Sequence, residues 1–254
     1  MKKFQILLIA VFFFGTVQAV IPQQQNPTVP LPRIGLDVST ADEPEDISVT
    51  LQILLLMTVL SLAPSILIMT TSYLRIIIVF HFLRSALGTM QMPPTQLLAG
   101  VALFITFFVM APVWENVNEE AIQPYMENQI DVDSAYTKAV TPIRGFMFEH
   151  VRDEDLELFL SFSNTEQPET REDLSTYVLI PAFVLSELRT GFVIGFFLFI
   201  PFLMIDMIVA SILMSMGMMM IPPMMVSLPF KILLFVLVDG WALIVGSLVR
   251  SFGL

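Results

Sequence analysis

The sequence predicts an all-α integral membrane protein built of helical hairpins, with a mainly helical acidic segment held outside the bilayer. Three observations carry that expectation. Of the 254 residues 56% are hydrophobic and only 14% charged, and several apolar runs approach the length that crosses a bilayer as helix, ~20 residues for ~30 Å of hydrocarbon. The formal charge of −11 sits in one stretch, because Glu115 to Asp173 holds 15 acids against 4 bases while the remainder holds 8 of each. There is no cysteine, which removes disulfides, thiol catalysis and thiolate metal sites from consideration.

Taken in order, Met1 to Ala19 has the pattern of a cleavable signal peptide: Lys2 and Lys3, a short apolar run, then small residues before a cut. Residues 20–50, broken by Pro22, Pro27, Pro30, Pro32 and Pro44, read as an exported, proline-rich acidic linker. Residues 51–114 form a first helical membrane region. Leu51 to Thr71 is its first span, with a kink expected near Ser61 because Pro64 removes one helical hydrogen bond. Arg75 and Arg84 then frame a short connection ending in Pro93 and Pro94, on the cytoplasmic side by the positive-inside tendency. Leu97 to Trp114 returns and leaves residues 115–176 outside, which agrees with an exported N-terminus. Helices are expected there over Val113 to Gln129 and Asp133 to Phe148, with Pro142 in a first turn. Residues 177–254 form the second helical region: Tyr177 to Leu185, an interruption at Glu187 and Arg189, a run from Phe192 to Met220, and a final run from Ile232 to Val249. Hydropathy therefore gives four or five helices after the signal.

The candidate functional residues concentrate in that second region. Met214, Met216, Met218, Met219, Met220, Met224 and Met225 are seven of the 17 methionines, gathered around Gly217, Pro222 and Pro223. Unbranched, polarizable thioethers close on irregular surfaces and reopen without a fixed fit, so the cluster suits a soft seal; lipid contact and core filling use the same property. Glu187, Arg189, Asp206, Lys231 and Asp239 interrupt apolar runs, where each is costly unless paired, and for Asp206, Lys231 and Asp239 the pairing is expected between subunits. Gly191 with Gly195, and Ser211 with Ser215, have the spacing that lets helix backbones approach closely. No Gly-rich phosphate loop, nucleophile elbow or paired metal-binding histidines occur, the two histidines being His81 and His150, and no basic or aromatic pattern points to nucleic acid. The expectation is a non-enzyme without cofactor or metal.

Long stretches carry a family resemblance. PAFVLSELRTGFVIGF from Pro181, PFLMIDMIVASILMSMGMMMIPP from Pro201, LPFKILLFVLVDGWALIVGSL from Leu228 and SYLRIIIVFHFLRSALGT from Ser72 resemble the FliP family of flagellar biosynthetic proteins, whose injectisome counterparts share the motifs. The likeness runs from Leu51 to the C-terminus and departs from the family pattern at Val193, His81 and Phe82. It implies a subunit of the bacterial inner-membrane type III export gate within the flagellar basal body. There, homo-pentamers join FliQ, FliR and further export-apparatus membrane proteins in a helical oligomeric cone that passes unfolded flagellar proteins. It further implies that Met218, Met219 and Met220 form a channel gasket, shaped by Gly217, Pro222 and Pro223. An ion-coupled transporter or proton-channel subunit, with Asp206 and Asp239 titrating, is the competing reading.

Overall fold

A computed structural model describes residues 44–89, 92–163, 170, 173–218 and 220–253, with side chains from Leu51 onward. The expected signal peptide and most of the linker lie outside the described residues. From Leu51 to the C-terminal end the chain forms one compact unit, separate from the unit ending at Thr50. Among the described residues every regular element is a helix: α1 (Pro44–Met69), α2 (Tyr73–Leu87), α3 (Thr95–Val109), α4 (Ala111–Val117), a π turn (Asn118–Ile122), α5 (Gln123–Met126), α6 (Val132–His150), α7 (Asp153–Phe162), α8 (Thr176–Ser215), α9 (Pro223–Leu237) and α10 (Gly240–Arg250).

Among the described residues, two helices, Leu51–Met69 of α1 and α8, are long and apolar enough to cross a membrane; two bent pairs, α3 with α4 to α5 and α9 with α10, pass the same test together. The hydropathy reading and the structure part company at Glu187 and Arg189. α8 runs through both without a break for 40 residues, because Glu187 is neutralised from a neighbouring helix and Arg189 reaches the acidic segment. Pro64 likewise lies inside a continuous α1, and the Ser61 hydroxyl donates to the Thr58 carbonyl at 2.8 Å.

The acidic segment departs from expectation at Pro142, which sits in the middle of α6 rather than in a first turn. Asp131 starts that helix earlier, its carboxylate accepting the Ser134 backbone N–H at 3.3 Å. The hydrogen bonds from Ser134 hold the Asp131 carboxyl below its ordinary value, so this cap is present at neutral pH and is lost as pH falls through that lowered value. The expected helix over Val113 to Gln129 appears as α4, the π turn and α5 in succession.

The core is built on helix-to-helix packing around α2 and α8. Ile76, Val79 and Phe80 of α2, Leu98 and Ala102 of α3, Met147 of α6, Leu156 of α7 and Leu179 and Phe183 of α8 share one cluster. A second cluster joins Leu83, Ala86 and Leu87 to Phe202 and Phe235. Of the aromatic residues in the acidic segment, Phe146 is buried while Phe162 stays exposed, so that segment docks on the bundle rather than forming a core of its own. In contrast, the apolar side chains of α1 from Leu51 are largely exposed around the helix, Leu54 at 66% and Leu60 at 64%. Such a helix needs lipid or another protein around it.

Glycine placement supplies a first test. Gly145 lies exposed within α6, and a Cβ built there meets nothing within 4 Å. Gly145→Ala is expected to raise stability by about 0.5–1 kcal/mol by restricting the unfolded chain. A thermal melt of the detergent-solubilised protein checks this, and a lower midpoint would mean that the site is not open.

Candidate functional site

α8 carries Glu187, Arg189, Gly191, Gly195, Asp206, Ser211 and Ser215, and the methionine tip, α9 and the turn into α10 carry the other candidates. The N-terminal half of α8 faces α2 through small residues. A Cβ at Gly191 would stand 3.1 Å from Cγ2 of Ile78, and one at Gly195 only 2.5 Å from Cγ of Phe82, so the two backbones are as close as glycine permits. Ser211 and Ser215 lie in the C-terminal half, exposed, with their hydroxyls donated to their own helix at Met207 (2.8 Å) and Ile212 (2.7 Å).

Beside the glycine pair, α8 carries Glu187, whose side chain is 0% exposed. Arg75 of α2, itself buried, donates Nε to Glu187 Oε2 at 2.9 Å and Nη2 to Oε1. This is the two-pronged geometry by which guanidinium and carboxylate pair best. The remaining face of Arg75 is also occupied. Nη1 donates to the Ser251 carbonyl and hydroxyl, each at 3.0 Å, and Cζ lies 3.9 Å from the centre of the Phe252 ring. Phe252 in turn packs on Phe146 and His150, so one arginine ties α2, α8 and the C-terminal end to the acidic segment. Immediately before Glu187 in α8, Ser186 is fully buried, donates to Asp155 at 2.8 Å and accepts the Arg152 N–H at 3.0 Å.

Arg189 and Asp239, unlike Glu187, are not buried. Arg189 pairs with Glu154 at 2.9 Å on the surface of the acidic segment. Asp239 is exposed in the turn between α9 and α10, where its φ is +49°. Asp206 and Lys231 find each other within the chain. Lys231 Nζ, 3% exposed as a residue, donates to Asp206 Oδ2 at 2.6 Å and to the Ala86 carbonyl at 3.0 Å, and the Ser227 hydroxyl donates to Asp206 Oδ1 at 2.5 Å.

Beyond this second clasp α8 ends in the methionine tip. Gly217, at φ +76°, reverses the chain, and the Met218 N–H reaches back to the Leu213 carbonyl at 3.0 Å. Pro222 and Pro223 restart the helix as α9, Pro223 at its first position, where a missing N–H costs nothing. Met214, Met216, Met218, Met220, Met224 and Met225 are all exposed, Met220 at 96%. Met219 lies outside the described residues. Among the described residues the tip is therefore an exposed apolar surface. An apolar groove of about 380 Å³, lined by Ile205, Ile208, Val209, Ile212, Leu213, Val226 and Phe230, continues that surface along α8 and α9.

Comparison with known proteins bears on the same stretch. The FliP family profile matches residues 56–248, which include both clasps and the whole tip. The chain belongs to the FliP family. Among family members, the flagellar biosynthetic protein FliP of Bacillus subtilis is 55% identical over 217 residues, covering 85% of this chain and 98% of its own. That of Caulobacter vibrioides is 52% identical, covering 79% of this chain and 76% of its own. That of Treponema pallidum is 45% identical, covering 90% and 85%. The FliP match stops short of Ser251 and Phe252, so the C-terminal anchor lies outside it.

Arg75 and Ser227 are among the participants that were not legible as site residues. Arg75 reads from hydropathy as a charge flanking a loop, yet helical spacing puts it on the stripe of Val79, Leu83 and Ala86, all buried, which is the signal that could have placed it inside. Ser227 carries no such signal, one serine among many.

Proposed function

We propose that this chain is a structural and gating subunit of the flagellar type III protein export gate, lining the channel through which unfolded flagellar proteins cross the inner membrane. The observation that carries the proposal is the methionine tip, whose described side chains are largely exposed at the end of a hairpin. A ring of such tips, one from each copy, closes a narrow passage with thioethers. It excludes ions because water is displaced from the constriction, and it yields to a polypeptide of any sequence because the side chains are unbranched.

In this reading, several copies, five by the family resemblance, assemble with FliQ- and FliR-like partners into a cone. The exposed apolar faces of α8 and α9 are covered there by neighbouring subunits, and the acidic segment lies on the periplasmic side. Residues 51–114 and 177–254 form the gate, and 115–176 the exported segment. The driving energy comes from partners, since no residue is assigned a catalytic role. The ion-coupled transporter reading is less well supported, because Asp206 is engaged by Lys231 and Ser227.

The test is Met218→Ala, Met219→Ala and Met220→Ala made together in cells able to build flagella. The expected result is an assembled complex that leaks small ions. An assembled complex that holds ions and exports as before would sink the seal.

A further inference from the structure

We infer that Asp206, Ser227 and Lys231 are positioning residues for the methionine tip, seating α9 on the end of α2 so that the tip is presented in one place; the inference rests on reading that tip as the seal. Only Ser227, Lys231 and Phe235 of α9 are buried. Phe235 is the anchor farther from the tip, packed on Phe202 and edge-on to Trp241 at 5.5 Å. Ser227 and Lys231 are the nearer anchor, and both act on Asp206 of α8. Past them, Met224 and Met225 stand exposed.

The end of α2 is shaped to receive this anchor. Gly88, at φ +74°, closes that helix, and the Ala86 carbonyl in its last turn accepts from Lys231. A carbonyl there has no helical donor of its own, and the helix end favours a cation. The position a Cβ would take on Gly88 lies 3.7 Å from Cδ1 of Leu228, 3.8 Å from Nζ of Lys231 and 4.0 Å from Cε of Met224. One ammonium thereby links three helices about two turns, roughly 10 Å along α9, from Met224. An apolar side chain would fill the same space without fixing direction. Ammonium, hydroxyl and carboxylate in mutual contact fix it. Without them α9 stays attached through Phe235 and its turn into α10, and the tip is left free to swing.

The experiment uses the full chain expressed with its export-apparatus partners, reading assembly on native gels and ion leak in the same cells. Lys231→Met alone leaves Asp206 uncompensated, so the informative variant is Asp206→Asn with Lys231→Met, which removes both charges. It is expected to assemble and yet leak about tenfold above the unaltered gate, as a population shift of the tip would give. Lys231→Arg, which keeps a cationic donor, is expected to hold ions. Assembly with an unaltered barrier in the double variant would overturn the inference, and so would loss of assembly, which would make the clasp a folding element. The triple methionine variant is run beside it: if that variant is tight, the seal reading itself falls, whereas a leaking triple variant with a tight double variant removes only the clasp.

Discussion

Arg75→Ala is expected to cost about 3–5 kcal/mol, the loss that follows when one partner of a buried ion pair is removed and the other is left without compensation. Against total stabilities of about 5–15 kcal/mol, that is enough to clear the protein from cells. The size of the effect comes from what remains. Glu187 has no exposure to water, so its carboxylate would have to stay charged against apolar neighbours or take up a proton. Arg75 also holds Ser251 and stacks on Phe252, so the C-terminal end is expected to loosen together with the α2 to α8 contact. Replacing both partners by apolar residues, Arg75→Met with Glu187→Leu, is expected to recover much of the loss. Accumulation in cells and thermal midpoints in detergent measure both variants. An Arg75→Ala protein that accumulates and melts normally would show the pair to be dispensable.

Gly195→Ala is expected to lower stability by about 1–3 kcal/mol through overpacking. The new methyl would fall 2.5 Å from Cγ and 2.9 Å from Cβ of Phe82, atoms near the α2 backbone that cannot swing aside, so the helices themselves must part. Phe82 also meets Phe192 edge-on at 5.3 Å, which closes off one direction of escape. Gly191→Ala is expected to be milder, since its nearest neighbour is Ile78 at 3.1 Å. Adding Phe82→Ala should relieve Gly195→Ala specifically. Independent, additive losses in the paired melts would exclude this contact as the cause.

Much of the helix content was legible because apolar runs, prolines and glycines act locally. Gly88 and Gly217 end helices, Pro94 and Pro223 stand at helix starts, and the acidic stretch forms its own helices as its composition suggests. What local reading loses is pairing across the sequence. Glu187 interrupts a hydropathy plot because that plot counts a charge without its partner, and the partner lies 112 residues earlier. Sequence distance likewise hides the meeting of Asp206 with Lys231, 25 residues apart, and the link from Lys231 to Ala86, 145 residues apart. Phe82 shows a finer limit. Its importance depends on Gly195 opposite, and spacing alone marks Gly195 as small without saying which side chain fills the space.

The continuity of α8 has a mechanical consequence. Forty helical residues span about 60 Å, twice the hydrocarbon thickness, and the stretch from Glu187 to Met216 covers about 44 Å of it. A tilt of about 5° pivoting at the Arg75 contact would displace the far end by roughly 4 Å, about the width of a side chain. In the proposed gate, a small tilt of α8 would thus arrive at its far end as travel comparable to a gap one side chain wide. There α8 would serve as a lever whose long arm carries the thioethers.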